Sequence, residues 1–422
     1  MLTAEGLGTT VASEVGAARC RICGGALAHQ VLDLGMSPLC ESFLAAGQLN
    51  EMEPFYPLRL YLCQNCWLVQ LQQYVAPQSI FESYAYFSSY SSSWVDHARR
   101  YCEMISRRLS LGDSSFVVEV ASNDGYLLQH FLGSQLRVLG VEPARNVAAV
   151  SRELGVPTEC AFFGRTEAAR LASVHGLANL IVANNVLAHV PDLHDFIGGL
   201  STLLAPGGTI TIEFPHLLRL MESAQFDTIY HEHFSYFSLR PLTLAFQQHG
   251  LEIVDVEELT THGGSLRLFV MHACAGSISS RVADLERREW AAGLYSVDAY
   301  TTFEGRVQAA KRGILAFLIR AREEGKVVAG YGAPGKGNTL LNYCGIRSDL
   351  LAYTVDRNPF KHGLFLPGTH IPIYPPDQIE RTRPDYVFLL PWNLKAEIMD
   401  QLGYIRSWGG RIVVPIPEVQ LL

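Results

Sequence analysis

Four adjacent side chains, Tyr230-His231-Glu232-His233, could carry acid–base chemistry. Imidazole has the unperturbed pKa nearest neutrality and a neighbouring carboxylate tunes it, so the cluster can act as acid, base or metal ligand. An HExxH zinc site sets its histidines four residues apart on one helix face. Here His231 and His233 are two apart, and on an extended chain they share one face with Glu232 opposite. The spacing disfavours a metal site and favours proton transfer; a packed aromatic loop with incidental histidines is the plain alternative.

Cys20-Arg21-Ile22-Cys23 and Cys63-Gln64-Asn65-Cys66 are two CxxC pairs. Each can form a knuckle that turns two thiolates toward one ion, and four thiolates complete a tetrahedral zinc site. With sulfur at all four positions none is left for water, so such a zinc is structural. Neither pair opens a helix after a strand, as a redox pair does, and two unrelated reduced pairs are the other reading. The stretch between them has room for a small sheet or an inserted helix.

These groups need elements to hold them. Ser115–Val120 is a β-branched strand, Ala121-Ser122-Asn123-Asp124-Gly125 is turn chemistry, and Tyr126–Phe131 begins a helical pattern. A second strand, Arg137–Val141, ends at Glu142, which is placed to accept hydrogen bonds from ribose hydroxyls. A third, Asn179–Ala183, leads into Asn184 and Asn185, and a helix from Asp192 to Leu204 closes at Ala205-Pro206-Gly207-Gly208 before the strand Thr209–Glu213. The alternation implies a parallel sheet with its ligand at the strands' carboxyl ends.

The order of these features resembles the class I S-adenosylmethionine-dependent methyltransferases. The resemblance implies cofactor contacts from Glu119, Ser122, Asn123, Asp124, Gly125, Glu142, Asn184 and Asn185. The chain departs from the family's GxGxG at Ala121–Gly125. A sulfonium cofactor has no pyrophosphate to cradle, so carboxylate and amide oxygens suit it better than bare glycines. An ordinary Asn-Asp-Gly turn is the alternative.

Helical patterning over about 280–324 leads to the strand Lys326–Gly330. Gly330-Tyr331-Gly332-Ala333-Pro334-Gly335 fits GxGxxG, and the P-loop pattern fails at Gly337, where a hydroxyl is needed. A strand Leu351–Val355 ending at Asp356 keeps a dinucleotide reading open. A glycine loop opening a helix is also a general phosphate site, with Lys336 and Asn338 as added donors, and we expect it to hold a substrate diphosphate. Arg357, Lys361, His362 and His370 extend that polar surface or are solvated loop residues.

At 422 residues the usual domain size gives about three domains. The expected boundaries are a flexible tail over 1–18, a zinc-binding domain over 19–76, a methyltransferase domain over 77–275 and a Rossmann-like domain over 276–422. A net charge of -8 without a basic run disfavours a nucleic-acid partner. No apolar stretch reaches the roughly 20 residues that span a bilayer, and the N-terminus lacks the basic start of a signal peptide, so the chain reads as cytoplasmic with no membrane partner. Nine cysteines without an export signal fit free thiols or metal ligands better than disulfides.

The four cysteines, Tyr84-Ala85-Tyr86-Phe87-Ser88-Ser89-Tyr90, the Glu119–Gly125 loop, the Tyr230–His233 cluster and Tyr331–Asn338 together resemble the C-methyltransferases of deoxysugar biosynthesis. The nearest match is the C-3 methyltransferases of nucleotide-linked 4-keto-6-deoxysugars, whose usual nucleotide is dTDP. Their α/β architecture is an N-terminal zinc domain, a class I methyltransferase domain and a Rossmann-like C-terminal domain that helps hold the sugar nucleotide. The resemblance implies His233 as base, with Tyr84, His189, Tyr230 and Glu232 lining the sugar site. The aromatic-serine run, with Tyr86 and Tyr90, reads either as a pocket lip or as interdomain packing. His231, Lys336, Asn338, Arg357 and His370 complete the expected substrate contacts. Two other functions stay open: a nicotinamide-dependent nucleotide-sugar oxidoreductase using the Gly330 loop, and a non-catalytic zinc-ribbon adaptor.

Overall fold

A computed structural model describes residues 18–76 and 87–422. Tyr84, Tyr86 and the tail expected before residue 18 lie outside them.

The strands β1 (His29–Ser37), β2 (Tyr56–Leu62) and β3 (Val69–Leu71) form an antiparallel sheet. Leu58, Leu60 and Leu62 are buried while Arg59 between them is exposed, the period-two pattern of a half-buried strand. β1 and β2 occupy the stretch between the two cysteine pairs, and β3 follows the second pair.

Strands β4 (Phe116–Val120), β5 (Arg137–Val141), β6 (Thr158–Glu159), β7 (Ala178–Asn184) and β8 (Leu204–Pro215) run parallel in the second sheet. The short β9 (Ser235–Tyr236) leaves this sheet and pairs with β3, so the chain just past His233 becomes the fourth strand of the first sheet. Then β10 (Leu251–Leu259) and β11 (Ser265–His272) return as antiparallel strands, giving the order β6-β5-β4-β7-β8-β11-β10. β4 is buried along its whole length, as a central parallel strand covered on both faces must be. The order reverses between β4 and β7, which opens a crevice at their carboxyl ends.

The third sheet has the order β14-β13-β12-β15-β16-β17. It is built from β12 (Val328–Tyr331), β13 (Thr354–Val355), β14 (Ile373–Tyr374), β15 (Tyr386–Leu389), β16 (Arg411–Val414) and an antiparallel β17 (Gln420–Leu421). Before it runs the helix Val297–Glu323, whose buried Tyr300, Phe303, Val307, Ala310, Ile314, Leu318 and Ala321 fall on one face. That face shares one core with the first and third sheets. Truncating the fully buried Phe303 to Ala is expected to cost about 3–5 kcal/mol.

Three elements differ from expectation. Tyr126–Phe131 forms only a short 3-10 turn over Leu128–Phe131, because Tyr126, Leu127 and Leu128 are all buried and Gly133, with φ 85°, turns the chain away. The helical region near 280–324 is two helices, Ser280–Ala291 and Val297–Glu323, broken at Gly293 in the left-handed region and restarted by the Ser296 cap. Strand β13 is shorter than the expected Leu351–Val355. Among the described residues no helix is long and apolar enough to cross a membrane.

Candidate active site

A cavity of about 860 Å³ lies at the crevice of the second sheet and reaches the glycine loop of the third. Residues from the N-terminal region, Cys40 and Glu41, form part of its wall.

At one end is the turn after β4. Ala121, Asn123 and Gly125 have φ of 57°, 50° and 81°, so the turn folds back on itself. A side chain at Gly125 would meet Ser151 Oγ at 2.9 Å as well as facing the strain of that φ. The Glu142 carboxylate holds the turn, accepting from the Asn123 amide at 3.0 Å and the Ala144 amide at 2.9 Å. Asn123 Oδ1 and Asp124 Oδ2 in turn accept from the amides of Ser88 and Ser89, at 2.9 and 3.0 Å. Burial raises the Glu142 carboxyl to about 7 even though these two amides pull it down. Glu119 is raised well above the usual range by burial and then by Asp124 and Glu142.

Three carboxyl groups gathered this closely suit a cation. Glu119 Oε2, Asp124 Oδ1 and Asn184 Oδ1 are buried acceptors without a hydrogen bond among the described residues. Asn123, Glu142, Asn184 and Asn185 line the cavity, while Glu119, Ser122, Asp124 and Gly125 lie behind that surface. Beyond Glu142 the wall turns apolar with Ala161, Phe162 and Phe163, which sequence reading missed. Acceptors at one end and aromatic surface at the other fit S-adenosylmethionine, with its ammonium, sulfonium, ribose and adenine groups.

At the other end His233 Nδ1 lies 3.1 Å from the Thr228 carbonyl oxygen. A carbonyl only accepts, so Nδ1 carries the proton and Nε2 keeps its lone pair. Tyr230 lies against this ring at 4.1 Å between centroids, and His189 meets it edge-on at 4.7 Å. Burial drives the His233 pKa well below 6.5, with His189, His262 and Lys336 adding to the effect. Burial takes His189 to about 4, opposed by its hydrogen bond to the Glu232 backbone. Burial, with Cys40 and Glu232 nearby, keeps the Tyr230 phenol protonated. Tyr230, Glu232, His233 and His189 all line the cavity. His231 does not: its Nε2 donates to the Pro57 carbonyl at 3.2 Å and its ring meets Tyr56, docking the cluster on the first sheet.

The glycine loop forms the remaining wall. Its helix Gly335–Cys344 starts against protein carboxylates: the Gly335 amide bonds Glu41, and Ala333 donates to Asp356 Oδ2 at 2.6 Å. Lys361 ties both ends together, donating to the Ala333 carbonyl at 2.8 Å and pairing with Glu41 at 3.4 Å. Lys336 lines the cavity, donates to Asn393 Oδ1 at 2.7 Å and lies over the Trp392 ring. Arg357 and Tyr90 also line it. Asn338 is buried outside the wall, bonded to the Cys40 carbonyl, and His370 is exposed and paired with Glu53 at 3.1 Å.

Phe87, Ser88, Ser91 and Trp94 line the cavity, so this part of the aromatic-serine run is a pocket lip. Sequence reading missed the polar group behind it. Glu213 Oε2 bonds His97 Nε2 at 3.0 Å and Arg267 at 2.8 Å, and Oε1 accepts from Thr261. Burial raises the Glu213 carboxyl, but these partners outweigh it and leave it at about 2. Trp94 stacks on His97 at 4.9 Å and meets His262 edge-on.

Apart from the cavity, the Sγ atoms of Cys20, Cys23, Cys63 and Cys66 lie within 4.8 Å of one another. A zinc with bonds of about 2.3 Å needs sulfurs about 3.8 Å apart, so the cluster fits it. The residue after each pair, Gly24 and Trp67, takes a left-handed φ of 70° and 67°, which closes each knuckle.

Comparison with known proteins divides the chain in the same order. Residues 20–81 match the family described as "Putative zinc binding domain", residues 94–256 a "Methyltransferase domain", and residues 260–417 a "C-methyltransferase C-terminal domain". The C-methyltransferase NovU of Streptomyces niveus is 38% identical over 404 residues, 96% of each chain. Two solved structures overlap with part of the chain. A methyltransferase of Haloferax volcanii in complex with its Trm112 activator covers 42% of this chain and 90% of its own at 12% identity, with a TM-score of 0.34. Magnesium protoporphyrin IX methyltransferase of Synechocystis with bound S-adenosylmethionine covers 43% of this chain and 81% of its own at 13% identity, with a TM-score of 0.32. The fold assignment rests on the family matches and the strand order, and with the full-length likeness to NovU it places this chain in the family of zinc-containing, S-adenosylmethionine-dependent C-methyltransferases.

Proposed function

We propose that the protein methylates C3 of a nucleotide-linked 4-keto-6-deoxysugar, with His233 as the base. The observation that carries this reading is the His233–Thr228 hydrogen bond. It leaves an unprotonated Nε2 on a buried, neutral ring in the same cavity as Glu142 and Asn123.

The ketone at C4 acidifies the hydrogen on C3. His233 takes that proton, and the C–H electron pair moves into an enolate whose oxygen needs donors. Tyr230 is held as a phenol and can donate to it, and Tyr84 is a second candidate; neutral His189 spends its one N–H on the Glu232 backbone and packs edge-on against the base. C3 of the enolate then forms a bond to the methyl carbon while the carbon–sulfur bond breaks and its electron pair stays on sulfur. S-adenosylmethionine would supply that methyl group; Glu142, Asn123, Asn184 and Asn185, which line the cavity, would hold its polar groups, and Phe162 and Phe163 offer apolar surface for its adenine. The nucleotide would lie toward Lys336, Arg357 and Tyr90.

Asp356 is the residue a nicotinamide dinucleotide would need for its ribose. Its two oxygens already accept from the Ala333 and Asn358 amides. An adaptor has no need of acidic strand ends, and here Glu119 lies in β4 and Glu142 follows β5, both buried beside the turn at Asn123.

The test is incubation of zinc-loaded protein with S-adenosylmethionine and a panel of nucleotide 4-ketosugars, followed by mass spectrometry and NMR. The expected product gains one methyl at C3. A methyl at C5, on the other side of the ketone, corrects the position, and no methyl on any sugar overturns the reading.

A further inference from the structure

The cysteine cluster and the histidine pair are two ends of one short run of hydrogen bonds. Gln70 Nε2 donates to Cys20 Sγ at 3.2 Å, and Gln70 Oε1 accepts from the Arg21 amide at 3.1 Å and from Arg21 Nη1 at 3.3 Å. The same guanidinium nitrogen donates to the Leu71 carbonyl and, at 3.1 Å, to the Phe234 carbonyl. Phe234 follows His233 directly, and its amide donates at 2.7 Å to the carbonyl of Ala188, the residue before His189. Both cavity histidines are therefore one residue from a backbone bond that Arg21 braces. Two further ties run the same way: Ile22, also inside the knuckle, accepts from His194 Nε2 at 2.8 Å, and β9 pairs with β3.

We propose that Arg21 is a positioning residue for the His233–His189 pair, so that the zinc knuckle carrying it sets the geometry of proton transfer. The proposal rests on His233 being the base. Gln70, Leu71 and Phe234 all present oxygens to the one nitrogen Nη1, so a single cationic donor ties the three together, and the ammonium of a lysine can keep part of that tie. Glu142, at the other end of the cavity, accepts instead from the Asn123 and Ala144 amides. A disturbed knuckle should therefore weaken proton abstraction while methyl-donor binding persists. Misplacing a reacting group by about 1 Å costs on the order of a hundredfold in rate, which sets the size of the effect.

The test uses Arg21→Met and Arg21→Lys in the full-length protein. Three quantities are measured: zinc per chain, the Kd for S-adenosylmethionine, and solvent deuterium uptake beside the ketone of a dTDP-linked 4-keto-6-deoxysugar without methyl donor. Arg21→Met is expected to slow deuterium uptake by about ten- to a hundredfold, with zinc retained and Kd within about twofold, and Arg21→Lys to recover part of the rate. Uptake at the parental rate in Arg21→Met overturns the proposal. So does a loss that tracks loss of zinc or of methyl-donor binding in both variants, since Arg21 would then serve folding alone. If the parent takes up no deuterium with any 4-ketosugar, the assignment of the base fails and this proposal with it; if the parent does and the variants match it, only the positioning role fails.

Discussion

The imidazoles of His189 and His233 meet edge to face with centroids 4.7 Å apart, and both line the cavity. Two rings this close cannot both be charged at low cost, and burial already disfavours charge on either. The pair is held neutral, the state a base needs.

The first prediction concerns pH. A free histidine loses basicity below about 6.5. His233 is depressed well below that by burial, with His189, His262 and Lys336 adding to the effect, so it stays unprotonated as pH falls through 6.5. Deuterium uptake into the substrate should be flat from pH 8 to about pH 6 and fall only in more acid solution. A rate profile with its acid limb centred near 7 would contradict the assignment.

Glu142 gives a second prediction, of opposite sign. Burial raises its carboxyl to about 7, so near neutrality it is partly protonated, and a ligand needing the carboxylate binds better as pH rises. The affinity for S-adenosylmethionine should improve between pH 6 and pH 8. Glu142→Gln should bind about tenfold more weakly and lose this pH dependence, which calorimetry at several pH values will show.

A third concerns the join between the cluster and the third sheet. Asp227, buried three residues before Tyr230, accepts from Trp392 Nε1 at 2.6 Å. Trp392→Phe removes the donor and leaves a buried carboxylate short of a partner, which should cost about 1–3 kcal/mol in urea unfolding. Asp227→Asn in the same background should recover part of the loss.

The metal supplies a fourth. The protein should carry one zinc by elemental analysis, and Cys63→Ser should lose it together with thermal stability, since a structural zinc is part of the folding free energy.

What could be read from sequence follows from how local each signal is. The CxxC knuckles, the strand ending at Glu142 and the Asp192 helix start depend on neighbours a few residues away, and the structure holds each of them. Cys40 and Glu41 gave no signal because their roles come from packing: Cys40 Sγ lies 3.5 Å from Glu232 Oε1, and Glu41 meets Lys361 and Gly335. His231 shares the cluster's sequence but bonds Pro57, 174 positions away, and no spacing rule reports that. The Tyr126–Phe131 turn was misread because a run of buried residues suits a short turn as well as a helix.

The most direct measurement is deuterium uptake from solvent beside the ketone of a nucleotide 4-keto-6-deoxysugar, without methyl donor, in the parent and in His233→Asn. The expected result is uptake by the parent and a fall of about 10²- to 10⁴-fold in the variant, with its affinity for S-adenosylmethionine unchanged. Uptake by His233→Asn at the parental rate would show that another group removes the proton.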